Sequence, residues 1–212
     1  MIKASRGRAG RAPAVPNDQL QLDGQLELVR PPAPGRLELV REFLNTLDVD
    51  RGTDALATPA GLTAWLRAAE LLDPKADFRA SDADAARVRA VREDIRALAR
   101  RNNGIVCDCS TEALEAASAG SRLTLVFEPD TGTSALLPTA PGLDGALGRI
   151  LAAVHVAMLD GTWCRLKACA DETCLWGYYD RSKNGCSRWC GDTCLNRSKV
   201  KRYRERQALA TR

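Results

Sequence analysis

Apolar residues recur at helical spacing in several stretches of the chain and alternate in two others. Leu37, Val40, Phe43, Leu44 and Leu47 lie three or four positions apart, which predicts a helix opening the segment 37–50. Thr58-Pro59 sets a second helix, with Thr as N-cap and Pro in the first turn. Leu62, Trp65, Leu66 and Ala69 line its face, and Asp73-Pro74 closes it. Ser81 with Asp84 makes a capping-box start for a third. Val88, Val91, Ile95 and Leu98 form its stripe, and Arg87, Arg89, Arg92, Arg96, Arg100 and Arg101 read as a solvated face. A short helix is expected over 110–119. The clearest pattern is 141–160, where Leu143, Leu147, Ile150, Leu151, Val154 and Met158 share one side and His155 sits at the surface or core edge. Alternating Leu123, Leu125 and Phe127, then Pro129-Asp-Thr-Gly132, then 133–137, predict an antiparallel hairpin. A second hairpin signal surrounds Asp23-Gly24, with Leu20, Leu22, Leu26 and Leu28 alternating. Residues 1–18 are basic and rich in Gly, Ala and Pro, and are expected to be disordered.

These elements predict an α+β chain, mainly helical with a β-hairpin, over 19–162. Gly161 ends its last helix and hands over, with almost no linker, to a different composition over 163–212. Three of the four Trp and all three Tyr lie from Trp163 onward. The net charge of +4 is unevenly spread: residues 181–206 carry nine Lys or Arg against Asp192 and Glu205, so the rest of the chain is net acidic. Such an end seeks a polyanion or an acidic protein surface. No secretory signal and no run approaching about 18 apolar residues is seen, which points to a reducing cytoplasm.

In that compartment paired cysteines favour metal over disulfide. Cys169 and Cys174 form a C-x4-C pair, and Cys190 and Cys194 a C-x3-C pair, with a polar, aromatic loop between. Two close pairs joined by a short loop can supply four thiolates to one tetrahedral Zn²⁺. Cys164 and Cys186 are also near, so six candidates exist for four positions. Cys107-Asp-Cys109 lacks further ligands nearby and reads as free thiols. A closed four-thiolate site leaves no position for water, so it is structural, and a zinc hydrolase is not expected. The chain also shows no Gly-rich phosphate loop, no nucleophile motif and no paired carboxylates beside a positioned base. No enzymatic activity is therefore expected.

Arg165-Leu166-Lys167, the Cys169/Cys174 pair, Trp176, Tyr179-Asp180-Arg181-Ser182, Arg188-Trp189-Cys190 and Cys194-Leu195-Asn196-Arg197-Ser198-Lys199 together resemble the CGNR-type zinc finger. That module ends a family of bacterial proteins described as putative stress-induced transcription regulators. Leu195 stands where the name-giving motif has glycine, and the second pair is one residue tighter than usual. The segments 37–50 and 57–72 resemble that family's N-terminal domain. The resemblance implies one zinc on Cys169, Cys174, Cys190 and Cys194, in a small treble-clef-like module ending in a basic helix. It also implies a sensing or partner-binding role for the front domain, through a protein or a small-molecule effector.

On the final helix Val200 and Tyr203 are expected to face inward. Arg197, Lys201 and Arg204 fall on one outer face, and Lys199, Arg202 and Arg206 extend the charge. With Arg181, Lys183 and Arg188 from the loop, these residues suit phosphate contact. Asn196 and Arg197 are the candidates for reading a base. The expected function is a DNA-binding transcription regulator. The alternative is a zinc-stabilised adaptor whose basic helix docks an acidic protein or RNA.

Overall fold

The computed structural model describes residues 31–106 and 109–210. The expected disordered segment 1–18 and the hairpin around Asp23-Gly24 lie outside the described residues. The architecture is α+β, with six helices and three two-stranded antiparallel sheets among the described residues.

Helix α1, Leu37–Leu44, buries Leu37, Val40, Phe43 and Leu44. It ends at Leu44, ahead of Leu47 on the predicted stripe, where Asn45 turns its side chain onto the distant Gly177 backbone. The following residues fold back instead, with β1 (Leu47–Asp48) pairing β2 (Thr53–Asp54). The tight turn between them is closed by the Arg51 N–H on Asp48 Oδ1 at 3.0 Å, and Gly52 takes the left-handed φ of +65°. Helix α2, Pro59–Ala68, starts as the sequence indicates, with Thr58 Oγ1 accepting from the Gly61 N–H at 3.1 Å. It buries Leu62 and Leu66 and sets Trp65 against Phe43, ring centroids 5.3 Å apart. It ends at Ala68, ahead of Asp73-Pro74, because Glu70 goes left-handed and the Leu71 N–H returns to Leu66 O at 3.0 Å.

Helix α3, Asp82–Arg101, has the capping box of Ser81 and Asp84 and buries Ala85, Val88, Val91, Ile95 and Ala99. The expectation of a solvated arginine face fails: Arg87 pairs with Asp144 at 2.6 Å, Arg89 donates to the Leu56 and Ala57 carbonyls, and Arg92 and Arg96 are each only 2% exposed. Arg92 forms a two-pronged pair with Asp54 at 2.7 and 2.9 Å and donates to Thr46 Oγ1 at 2.9 Å. Arg96 donates to the carbonyls of Leu44 and Leu175, both at 2.7 Å, and Glu93 meets both guanidinium groups. Each buried charge is thus matched by carboxylate or carbonyl oxygens, the condition for placing arginine in a core. Helical periodicity cannot reveal this, because the partners come from Thr46, Asp54 and Leu175 on other elements.

Helix α4 (Glu112–Ser121) leads into β3 (Leu123–Glu128), which pairs with β4 (Thr133–Pro138) from Leu123↔Pro138 to Glu128↔Thr133. The hairpin forms where predicted, and the Leu136–Pro138 end of β4 is half-buried beside α5, but Leu125, Val126 and Phe127 on β3 are exposed. Helix α5, Gly142–Leu159, is the central core element, burying Leu143, Ala146, Leu147, Ile150, Ala153, Val154 and Ala157. Met158, expected on this stripe, is exposed, as is His155. By length and composition α5 is long and apolar enough to cross a membrane, contrary to the sequence expectation. Its apolar residues instead pack in the core with α1 and α3. Cys109 is disulfide-bonded, not the free thiol expected, and Cys107 lies outside the described residues.

Gly148 marks a close approach within this core. A Cβ there would stand 2.7 Å from both Pro138 Cβ and Ser121 Cβ. Gly148→Ala gains about 1 kcal/mol of helix propensity but forces two stiff neighbours apart, at about 1–3 kcal/mol. A net destabilisation of up to about 2 kcal/mol is expected, read as a lower urea midpoint at unchanged slope.

Beyond α5, a 3-10 turn at Thr162–Arg165 leads into β5 (Leu166–Ala168), which pairs antiparallel with β6 (Gly177–Tyr179). Trp163, Leu166, Ala168 and Tyr179 belong to the same core as α1, α3 and α5. Packing therefore runs without a break across the change in composition. The last element is α6, Asp192–Ala210.

Candidate metal centre

The two cysteine pairs reach one point by different routes. Cys169 directly follows β5, and Cys174 closes the turn before β6. The Cys169 N–H bonds Trp176 O at 2.9 Å, and the N–H groups of Cys174 and Leu175 return to Asp171 O. Asp171 Oδ1 also takes the Thr173 N–H and hydroxyl, so this turn is pinned by its own aspartate. Leu175 is left-handed at φ 55°, and its carbonyl is held by buried Arg96. The second pair opens α6: Cys190 just precedes it and Cys194 lies in its first turn.

All four sulfurs lie within 4.8 Å of one another. Cys174 to Cys190 is 3.6 Å and Cys190 to Cys194 is 3.7 Å. A tetrahedral site with metal–sulfur distances of about 2.3 Å has edges of about 3.8 Å, so the donor set already has the dimensions of a four-thiolate centre. Trp176 and Trp189 pack against this cluster. Cys164 and Cys186 are exposed and stand outside it.

The thiols strain against ionising together. S–H donation from Cys174 and Cys190 holds the Cys169 thiol well below its usual range. The hydrogen bond each gives Cys169 pushes Cys174 and Cys190 up, and burial pushes Cys194 up. One thiolate is comfortable here and four are not. A dication at the centre supplies the missing positive charge, which is the electrostatic signature of a metal site.

In the treble-clef-like layout residues 187–189 would return as a strand against 176–179, after a turn at 181–185. The segment 181–189 is instead a loop gathered around a buried ion pair. Lys167 Nζ meets Asp180 Oδ2 at 2.8 Å, both side chains inaccessible. Lys167 also donates to the Gly185 and Ser187 carbonyls, and Asp180 accepts the N–H groups of Ser182 and Ser187. Tyr178 donates its hydroxyl to Ser187 O at 2.7 Å. With its polar groups taken by side chains, this loop forms no ladder, and β6 pairs β5 instead.

Three asparagines of the front domain clamp the module. Asn45 exchanges two bonds with the Gly177 backbone, at 2.9 and 2.7 Å. Asn102 donates to Trp163 O and Leu166 O, and Asn103 to Ala168 O and Arg188 O. The sequence carries no signal for these, since each recognises backbone far along the chain.

The basic residues divide into two groups. Arg181, Lys183, Arg188, Asn196, Lys199, Lys201, Arg202 and Arg204 are exposed. Arg181 rests its guanidinium on Pro32 O and over the Tyr179 ring, 5.5 Å from its centroid. Arg197, named as a base reader, is turned inward. It pairs with both Asp50 oxygens at 2.9 Å, lies 3.3 Å from Asp171, and meets Thr173 Oγ1 and Cys194 Sγ. It ties α6 to the cysteine cluster and to the β1–β2 turn. Val200 and Tyr203, expected to face inward, are 49% and 56% exposed. From Lys199 onward every described side chain of α6 is exposed, because among the described residues no element lies alongside it.

Two families match the chain. One, described as "Putative stress-induced transcription regulator", covers residues 37–161, and the CGNR zinc finger covers 165–207. No curated protein matches the chain significantly.

Proposed function

For a chain that belongs to the family of putative stress-induced transcription regulators and closes with a CGNR zinc finger, we infer that α6 binds double-stranded DNA in the cytoplasm. The same reading gives one structural Zn²⁺ to Cys169, Cys174, Cys190 and Cys194. When bound, the ion supplies the charge that lets four buried thiols ionise together and so fixes the start of α6. With four protein sulfurs the coordination is filled, which favours a structural role over a catalytic one.

The observation that carries this reading is the free-standing basic helix. Beyond Ser198 it has Lys199, Lys201, Arg202, Arg204 and Arg206 against the single acid Glu205, distributed around the axis rather than on one face. A helix with charge on every side and no continuous apolar stripe has no broad protein face of its own to pack. The major groove, about 12 Å wide, admits a helix and presents phosphates on both walls. An acidic protein surface would engage one side only. Exposed Val200 and Tyr203 are what favour the adaptor reading, since they sit one turn apart and suit a protein groove.

A salt titration separates the two. If α6 neutralises phosphates, log affinity falls against log salt by about 0.9 per contact. Lys201→Ala with Arg204→Ala is expected to weaken binding to all duplexes and flatten the slope by about two contacts' worth. Arg197→Ala is expected to act differently from a base reader: it loosens α6 and lowers affinity for promoter and random DNA alike. Equal affinity of the unaltered protein for promoter DNA and random duplex would remove the specific-regulator reading and promote the adaptor.

A further inference from the structure

We propose that the cleft between the β1–β2 hairpin and Trp176 binds a small organic cation, and that its occupancy is transmitted to α6. This deepens the regulator reading by giving its effector a place and a chemical class. The cleft, about 470 Å³, lies at the seam between front domain and finger and is lined by Glu42, Asp48, Arg51, Asp54, Trp65 and Trp176, among others. Its volume suits a small metabolite.

The lining selects charge. Three carboxylates face one arginine, and that arginine is itself 3.6 Å from Asp48. Asp54 is neutralised from behind by Arg92. Glu42 has no hydrogen-bonding or ion-pair partner among the described residues, and neither indole N–H has an acceptor there. An anion would meet the Glu42 carboxylate, since adjacent Arg41 is engaged by Glu38, whereas a cation would gain that carboxylate and two indoles, the best aromatic partners for positive charge. Partial burial, reinforced by neighbouring Glu38, pushes the Glu42 carboxyl up. An ammonium or guanidinium group beside it relieves that cost.

Both walls lead to α6. The hairpin that supplies Asp48, Arg51 and Asp54 carries Asp50 at its turn, and Asp50 holds Arg197 of α6 by both oxygens. On the other wall, Trp176 packs against the cysteine cluster. A ligand that shifts the hairpin against Trp176 therefore acts on the two attachments of the helix. A coupling of this kind changes affinity by about 5–150-fold.

The test uses the zinc-loaded full chain and does not depend on DNA. Putrescine, agmatine and choline are titrated to about 10 mM, a limit weaker than the millimolar affinity expected of one ion pair with aromatic contact, with succinate as the anionic control. Indole N–H resonances, assigned with Trp→Phe variants, and backbone amides at the start of α6 are followed by NMR. Trp65 and Trp176 are expected to shift saturably with at least one cation and not with succinate. Glu42→Gln is expected to weaken that response about tenfold or more while leaving thermal unfolding unchanged. The amides near Arg197 should move with the indoles, and Asp50→Asn should uncouple them. Indoles unmoved by every cation, or equally moved in Glu42→Gln, overturn the site. Indole shifts without α6 shifts overturn the transmission. Failure to bind DNA would leave these readouts intact and bear only on the function of α6.

Discussion

Removing the metal, or any one of Cys169, Cys174, Cys190 and Cys194, is expected to release the 169–176 turn and α6 while the rest of the chain stays folded. The cluster that holds these parts consists of Cys169, Cys174 and Cys194 with Trp176, Trp189 and Cys190 packed on it. So few side chains bury too little surface to fix a helix, and binding of a structural zinc is worth about 10–16 kcal/mol near neutral pH. Helix α6 adds little of its own: without its Cys194 anchor it is a charged, uncovered helix near the length at which isolated helices are marginal. Strands β5 and β6 should remain, because Leu166, Ala168 and Tyr179 lie in the main core and the Asn45, Asn102 and Asn103 bonds do not involve the metal. Chelation should therefore remove helical circular dichroism and shift the Trp176 and Trp189 fluorescence while the main thermal transition persists. Elemental analysis should give one zinc per chain, reduced in Cys190→Ser and full in Cys164→Ser and Cys186→Ser. Full zinc in Cys190→Ser would show that the assigned sulfurs are wrong. Because the thiols must lose protons to bind, affinity should fall as pH falls.

Breaking the Lys167–Asp180 pair is expected to cost about 3–5 kcal/mol, since either change leaves a buried charge uncompensated. Asp180→Asn removes the charge facing Lys167 Nζ, and Lys167→Met removes the donor to Asp180 and to two carbonyls. Replacing both with apolar residues is often harmless for a simple buried pair. Here it should not rescue, because the pair also satisfies the N–H groups of Ser182 and Ser187 and the carbonyls of Gly185 and Ser187. Urea unfolding of both single variants and Lys167→Met/Asp180→Leu measures this. A double variant as stable as the unaltered chain would contradict the assignment of the pair as the loop's hydrogen-bonding hub. The pH dependence has a definite sign. Burial pushes the Asp180 carboxyl up, but the Lys167 ammonium and the Ser182 contacts outweigh it and hold it at about 2, below its ordinary 3.8. The folded state thus binds this proton less tightly than the unfolded chain. Its contribution is complete above pH 3.8 and is lost as pH falls towards about 2.

Local rules settled much of this protein in advance. The Thr58-Pro59 and Ser81/Asp84 starts, the helix ending at Gly161, the hairpin at 123–138 and each of the two cysteine pairs depend on residues close to one another in the chain. A cap, a turn or a chelating pair is a short-range object, and its spacing is written in the chain. The exposure of α6 was not legible, because Val200 and Tyr203 have the spacing of an inward stripe whether or not anything lies there to receive them. Nor were the roles of the arginines. Arg92, Arg96 and Arg197 are indistinguishable in sequence from exposed Arg101 or Arg204. Only the folded chain brings Asp54, Leu175 and Asp50 to them, and long-range oxygens decide whether a guanidinium is buried, bracing or free. The same holds for Asn45, Asn102 and Asn103, which join front domain and finger through backbone groups that any residue could offer. Spacing determined the elements and the two cysteine pairs, and tertiary contact decided which sulfurs converge and which charges were left over to meet a partner.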